Sequence, residues 1–512
     1  MWLLIGCLIL LLAWDYRRKR CQNKTFKKSR ISGPPLIPIF GNVLQLMFLN
    51  PENMLQFFGN QFNKYGDSFR LWALGECAIY TKDIKIFEAL LSSNTLLEKA
   101  QLYRFVRHFL GDGILLSTGR KWNTRRKAIA PAFHFKCLEN FVEIMDKHSG
   151  VMVEKLREVA DGKTSVNVFK YISKEALDVI TETAMGVQVN AQHNADFPYT
   201  RALKSVVYIE SNRMASFLQR FDWLFPLATP RVYRRLKNDI RTMQEFTDQV
   251  IRERRSVLER SKADGTYQPL FLGDEDTGHK SKISLIDILL QATIDDKPLS
   301  DVDIREEVDT FVFAGTDTTT SAVSHALHVI SRYPKVQDLI YKELIDVLGQ
   351  DPNAPVTQSQ LLSLKYLDCV IKEAMRLHPP VPLIGRHIPK DLQIGEKTIP
   401  GDTDIMLVSY FVFRDPEYFP DPLTFKPERW LNEEKVTHPK IAYIPYSAGP
   451  KNCIGQKYAI LQMKTLISKV IRHYELLPMG GELNPTYTFI LSSSTGNHLG
   501  LKPRIMLGSN SN

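Results

Sequence analysis

The chain opens on an apolar run. Residues 1–14, MWLLIGCLILLLAW, carry no charge, and a block holding Arg17, Arg18, Lys19, Arg20, Lys24, Lys27, Lys28 and Arg30 follows at once. Fourteen residues fall short of the ~20 that cross a hydrocarbon core as a helix. The expectation is a signal anchor over residues 1–16, with Tyr16 and the stems of Arg17 and Arg18 extending its apolar reach. The basic block then keeps everything behind it in the cytosol. A cleaved secretory signal is the alternative, but no charged segment precedes the run and no small-x-small site follows it. On the cytosolic side the sequon Asn23-Lys24-Thr25 should stay unglycosylated. Residues 17–41 read as a basic and Pro-rich hinge, because Pro34, Pro35 and Pro38 resist helix and favour a stiff extended link.

Beyond residue 41 the period of the apolar positions is mostly helical. Residues 51–100 predict a helix, two short strands (Ser68–Trp72 and Cys77–Tyr80) and another helix. From about 135 to 260 the pattern is long amphipathic helices. Phe217, Leu218, Phe221, Trp223, Phe225 and Leu227 cluster there among Arg213, Arg220 and Arg231. They read equally as a core-facing helix end or as a lid dipping into a bilayer interface. A polar loop is expected at 261–283. Asp301 through Ser331 holds no proline and starts with Asp301, Asp303, Glu306 and Glu307, which suits a helix start. A further helix spans 361–378, and residues 489–496 predict a hairpin turn. The fold class is mainly α with a small β region (α+β), a single catalytic domain over 42–512 behind the anchor and hinge.

Composition changes this picture little. Of 512 residues, 44% are hydrophobic and 24% charged, as in an ordinary globular chain with a large core. The net charge of +10 raises nucleic acid as a partner. Residues 15–30, however, set eight basic residues against Asp15 alone, which is seven of the ten surplus charges. The remainder is nearly balanced and carries no nucleic-acid motif, so no nucleic-acid partner is expected. The six cysteines are scattered with no CxxC pair, against a zinc site or redox dithiol.

One cysteine stands apart. Tyr446-Ser-Ala-Gly449-Pro-Lys451-Asn-Cys453-Ile-Gly455 sets Cys453 among glycines and a proline, just before an apolar helical run. A thiolate at a helix mouth is a nucleophile or a soft metal ligand. A second unusual stretch is Ala314-Gly315-Thr316-Asp317-Thr318-Thr319, a run of poor helix formers inside the long helix. Ala314 and Thr318, four apart, share a helix face. Trp122 and Arg126 do too, which alone is ordinary surface packing. Glu373 and Arg376 form an i,i+3 pair of the kind seen on many surfaces, and Arg429 follows within Pro427-Glu-Arg-Trp.

These five motifs, in their order along the chain, resemble those of the cytochrome P-450 haem-thiolate monooxygenases, from about Pro34 to Arg504. Within that superfamily the sequence is most similar to family four, microsomal and insect-type. The resemblance implies the P-450 fold, with haem (iron protoporphyrin IX) held by an axial Cys453 thiolate. Trp122, Arg126, Arg386, Tyr446, Lys451 and Gly455 would bind the cofactor. Asp317 and Thr318 would be catalytic, relaying protons for oxygen activation. Glu373, Arg376 and Arg429 would form the triad that supports the cysteine loop. Thr310, Phe313, Ala314, Leu383 and Ser492 would line the substrate pocket. Electrons would come from NADPH through a partner reductase, with a small cytochrome as a possible second donor. The substrate would be a lipophilic small molecule: a fatty acid, lipid hormone or xenobiotic such as an insecticide. The location implied is the endoplasmic reticulum membrane, catalytic domain on the cytosolic face.

Two positions depart from the usual loop. Tyr446 stands where Phe is usual and adds a hydroxyl that needs a partner. Lys451 stands where Arg is usual and lacks the bidentate fork. A third departure is Ala314, where many family-four members carry a Glu that esterifies a haem methyl. A non-covalent haem is expected here. Two other readings keep the cysteine: a haem-thiolate isomerase or dehydratase, which would not need Asp317 and Thr318, and a non-catalytic haem sensor or lipid-binding protein, which would need no reductase.

Overall fold

In the computed structural model the apolar opening and the basic block form one helix, α1 (Trp2–Lys28). The structure describes residues 2–37, 39–73, 75–194, 196–216, 219–265, 284–294, 297–431 and 438–504. Phe217, Leu218 and most of the expected polar loop lie outside them. Among the described residues no helix is long and apolar enough to cross a membrane. Residues 17–28 of the expected hinge are thus helical, and they lean on the body. Gln22 donates to the Gly401 carbonyl at 3.1 Å, Arg18 pairs with Asp402, and Phe26 is fully buried. Asn23 of the sequon accepts a hydrogen bond from Arg70 Nε at 2.8 Å.

The expected strands follow as β1 (Ser68–Ala73) and β2 (Glu76–Thr81), paired antiparallel with Ser68 opposite Thr81. Then come helices α2 (Arg104–Leu110), α3 (Gly119–Ile129), α4 (Phe135–Arg157), α5 (Phe169–Met185), α6 (Pro198–Ala215) and α7 (Pro230–Ala263). The long predicted helix is α8 (Asp301–Ile330). Ser300 and Asp303 close a capping box on it, satisfying backbone donors that its first turn leaves open. The helix expected at 361–378 is α9 (Lys365–Leu377). Strands β3 (Ile384–Ile388) and β4 (Thr403–Leu407) complete the small sheet, in the order β1-β2-β4-β3, with β2 and β4 parallel. Helix α10 (Gln456–His473) and the hairpin β5 (Pro485–Tyr487) and β6 (Leu491–Ser493) end the part that shapes the site.

Helix α8 is the axle. It packs on α5, α7, α9 and α10, and its apolar residues Ile304, Val308, Val312, Val323, Leu327 and Ile330 are almost wholly buried. Burying each such side chain contributes about 1.5–3 kcal/mol before entropy is counted. That packing, not propensity, holds the Gly-Thr-Asp stretch helical.

Candidate active site

The cysteine loop is shaped by close approach. Gly449 has φ +71°, and a Cβ there would stand 1.7 Å from the Leu91 carbonyl oxygen, so only glycine fits. The Cys453 N–H donates to the Tyr446 carbonyl at 2.9 Å, which closes the loop just before α10. The Cys453 sulfur faces a cavity of about 350 Å³. Burial pushes its thiol pKa up, while the Gly455 N–H and the Arg126 charge pull it down. The helix mouth alone does not make this thiol a thiolate; a metal cation on the sulfur would.

The facing wall is α8. Its hydroxyls fold back on the helix: Thr316 donates to Val312, Thr318 to Ala314 and Thr320 to Thr316, each at 2.7 Å. Gly315 has a steric reason, since a Cβ would meet Ile180 Cδ1 of α5 at 2.7 Å. Thr310, Phe313, Ala314 and Thr318 all line the cavity, as expected from their shared face. Asp317 does not. It lies behind that face, where burial raises its pKa to about 6 and the Lys204 charge of α6 lowers it.

The rim is cationic. Trp122 and Arg126 of α3 reach it together, with Arg126 Nη1 donating to the Asn452 carbonyl at 2.9 Å. Lys451 donates to the carbonyls of Ser117 at 2.6 Å and Leu97 at 3.2 Å. Burial, then the Arg386 charge, bring its pKa down to about 7. Arg386 is buried on β3 beside it. Its Nε and the Trp122 Nε1 are buried with no partner among the described residues. Lys99, which sequence reading missed, lines the same rim. Burial and the charges of Arg386 and Lys451 hold it well below the usual lysine range. A lone lysine between helices gives no motif; only the fold brings it to Arg386. Four cations gather here, Arg386 and Lys451 buried, Lys99 and Arg126 half-buried, and no Asp or Glu lines the cavity among the described residues. Such a set is unfavourable unless anionic groups join it.

Glu373, Arg376 and Arg429 come together. Glu373 binds Arg376 through both oxygens at 2.9 Å, and takes Arg429 Nε at 2.9 Å and Trp430 Nε1 at 2.8 Å. Arg376 in turn donates to the carbonyls of Phe413 and Pro422, tying α9 to the segment that leads into the cysteine loop. One expectation needs correction. Ser492 lies on β6, its hydroxyl toward the Thr486 carbonyl at 3.5 Å, and is not in the cavity lining. The turn before it supplies Phe489 and Ile490 instead, because a two-residue shift along a hairpin moves a side chain from tip to strand. Tyr446 lines the cavity, and its buried hydroxyl finds no partner among the described residues.

A metal at Cys453 with carboxylates at the Lys99, Arg126, Arg386 and Lys451 rim satisfies both the sulfur and the unpaired donors, so the residues fit haem. The sequence profile of the family described as Cytochrome P450 matches residues 31–499. The chain belongs to the cytochrome P450 family. It is 70% identical over 507 residues to a probable cytochrome P450 4d21 of Drosophila melanogaster, covering 98% of this chain and 99% of that one. A probable cytochrome P450 4d20 of the same fly is 61% identical, again over 98% and 99%. Its cytochrome P450 4d2 is 47% identical over 98% of each chain. The protein is thus a haem-thiolate monooxygenase of the insect family-four type. It uses haem and takes electrons from a redox partner.

Proposed function

We propose that Cys453 is the axial haem ligand, and that Lys99, Arg126, Arg386, Lys451 and Trp122 hold the propionates. The supporting observation is one thiol on the wall of a cavity with no Asp or Glu in its lining among the described residues, whose rim gathers four cations, two of them buried. When bound, haem supplies the oxygen chemistry that converts a C–H bond to an alcohol. The chain's own residues do the rest. The apolar walls, among them Phe313, Leu383 and Phe489, hold a lipophilic substrate and exclude water. Thr318 donates to Ala314 and keeps its oxygen lone pairs open to a donor in the cavity. Asp317, with a pKa near 6, can hold a proton on the Lys204 side of α8, behind the face that carries Thr318.

The substrate class is a fatty acid, lipid hormone or xenobiotic, and the electron donor an NADPH-dependent reductase. The site of action is the endoplasmic reticulum membrane. Trp2, Leu10 and Trp14 of α1 are exposed apolar side chains that support membrane attachment. The haem is non-covalent. Ala314 offers a methyl where an ester needs a carboxylate, and no lining carboxylate stands in for it among the described residues.

The experiment is reconstitution with the reductase under isotopically labelled dioxygen, screening fatty acids, terpenoids and insecticides. One labelled oxygen in the product, with NADPH consumed, is expected; product without label overturns the reading. Acid-denaturing chromatography of the purified protein should release all the haem, and Ala314→Glu should retain part of it after turnover. Haem that stays on the wild-type chain contradicts the argument from the α8 face.

A further inference from the structure

A second, smaller cavity of about 110 Å³ adjoins the first, and Leu102, Leu383 and Tyr487 line both. Its walls are mostly apolar, and it leads outward between β1–β2 and the segment after α6. Its open end is charged. Glu76, at the start of β2, accepts Arg104 Nη1 of α2 on one oxygen at 2.7 Å and Arg220 Nη2 on the other at 3.2 Å. Arg104 also donates to the Arg220 carbonyl at 3.5 Å. One carboxylate thus joins three stretches far apart in sequence across the mouth of an apolar inlet.

The charges there do not balance. The other acid of the inlet, Asp404, is taken up by His387 Nδ1 and the Gln101 N–H, each at 2.8 Å. That leaves Glu76 alone to serve two guanidinium groups. Arg220 lines the inlet, and its Nε is buried with no partner among the described residues. The three side chains remain 23–30% exposed, in Arg104, Arg220 and Glu76. Ion pairs so placed add little stability, which suits a contact that breaks each time a ligand passes.

We propose that Glu76 latches this inlet, and that an anionic group on an incoming ligand opens it by replacing the Glu76 carboxylate on Arg104 and Arg220. Exchanging one carboxylate for another keeps the charge-assisted hydrogen bonds. A neutral ligand has to part the latch with nothing in exchange, and a cationic one meets two like charges. Glu76 and Arg220 therefore sort lipophilic compounds by charge before they reach the site. The proposal rests on the monooxygenase reading only in using the haem as its reporter.

The test is stopped-flow binding to the ferric full-length protein of two probes: dodecylimidazole, and the same molecule with a carboxylate at the far end of its chain. Both report arrival by the spectral shift of imidazole on haem iron. In the wild type the carboxylate probe should enter faster, and its advantage should shrink with salt. Glu76→Gln should speed the neutral probe roughly fivefold, while the affinity for unsubstituted imidazole stays unchanged. Arg220→Gln should erase the advantage of the carboxylate probe. Should Glu76→Gln fail to fold, Glu76→Asp weakens the reach but keeps the charge and should give a smaller acceleration. Equal rates for the two probes in the wild type, or a neutral-probe rate untouched by the Glu76 variants, overturn the latch. If unsubstituted imidazole gave no shift at all, the haem reading would fail instead.

Discussion

Asp317 and Thr318 are neighbours in sequence that face different ways, one behind α8 and one into the cavity. Their roles separate accordingly. Thr318→Ala should keep haem and substrate binding and still consume NADPH, with more of the electrons ending in peroxide; an unchanged ratio of product to NADPH contradicts its part in proton handling. Asp317 has a raised folded-state pKa of about 6. Its contribution to stability is therefore fully present below the ordinary carboxylate pKa and is lost as pH rises through about 6. Asp317→Asn should remove that loss. The variant should be more stable than wild type at pH 8 by on the order of 1 kcal/mol, equal to it near pH 4, and slower in forming product. Thermal unfolding at the two pH values checks this; a variant less stable at pH 8 contradicts the account of the buried carboxyl.

At the scale of elements, the fit of α5 against α8 explains a residue that chemistry alone does not. Gly315→Ala should drive a methyl into Ile180 and cost about 1–3 kcal/mol. Ile180→Ala removes the atoms that would be met, so the double variant should recover part of the loss. Additive losses in that cycle would mean that Gly315 serves the cavity and not the helix contact. The sequence made the α8 face readable because four-residue spacing is fixed by helix geometry. The Glu373 triad was readable for the same reason at its helical end, and Arg429 joined it only through the resemblance. What stayed hidden was set by tertiary approach: Lys99 beside Arg386, Glu76 between two arginines, Phe489 in place of Ser492. The basic block at 17–28 was legible as charge but not as helix, since its partners Gly401, Asp402 and Arg70 come from distant segments.

For the whole molecule, the two halves of α1 divide the labour. The first carries Trp2, Ile9, Leu10 and Trp14 outward, and the second holds the body through Phe26 and Arg18. A chain lacking residues 2–14 should leave the membrane fraction in high salt and keep its haem. Loss of haem on that truncation would contradict this division. The central claim about the whole assembly is that sulfur, cationic rim and α8 face form one haem site. It is tested most directly by the ferrous carbon monoxide spectrum of the wild type beside Cys453→Ala. The Soret band of a thiolate-ligated haem is expected in the first and its loss in the second. The same band persisting in Cys453→Ala would contradict it.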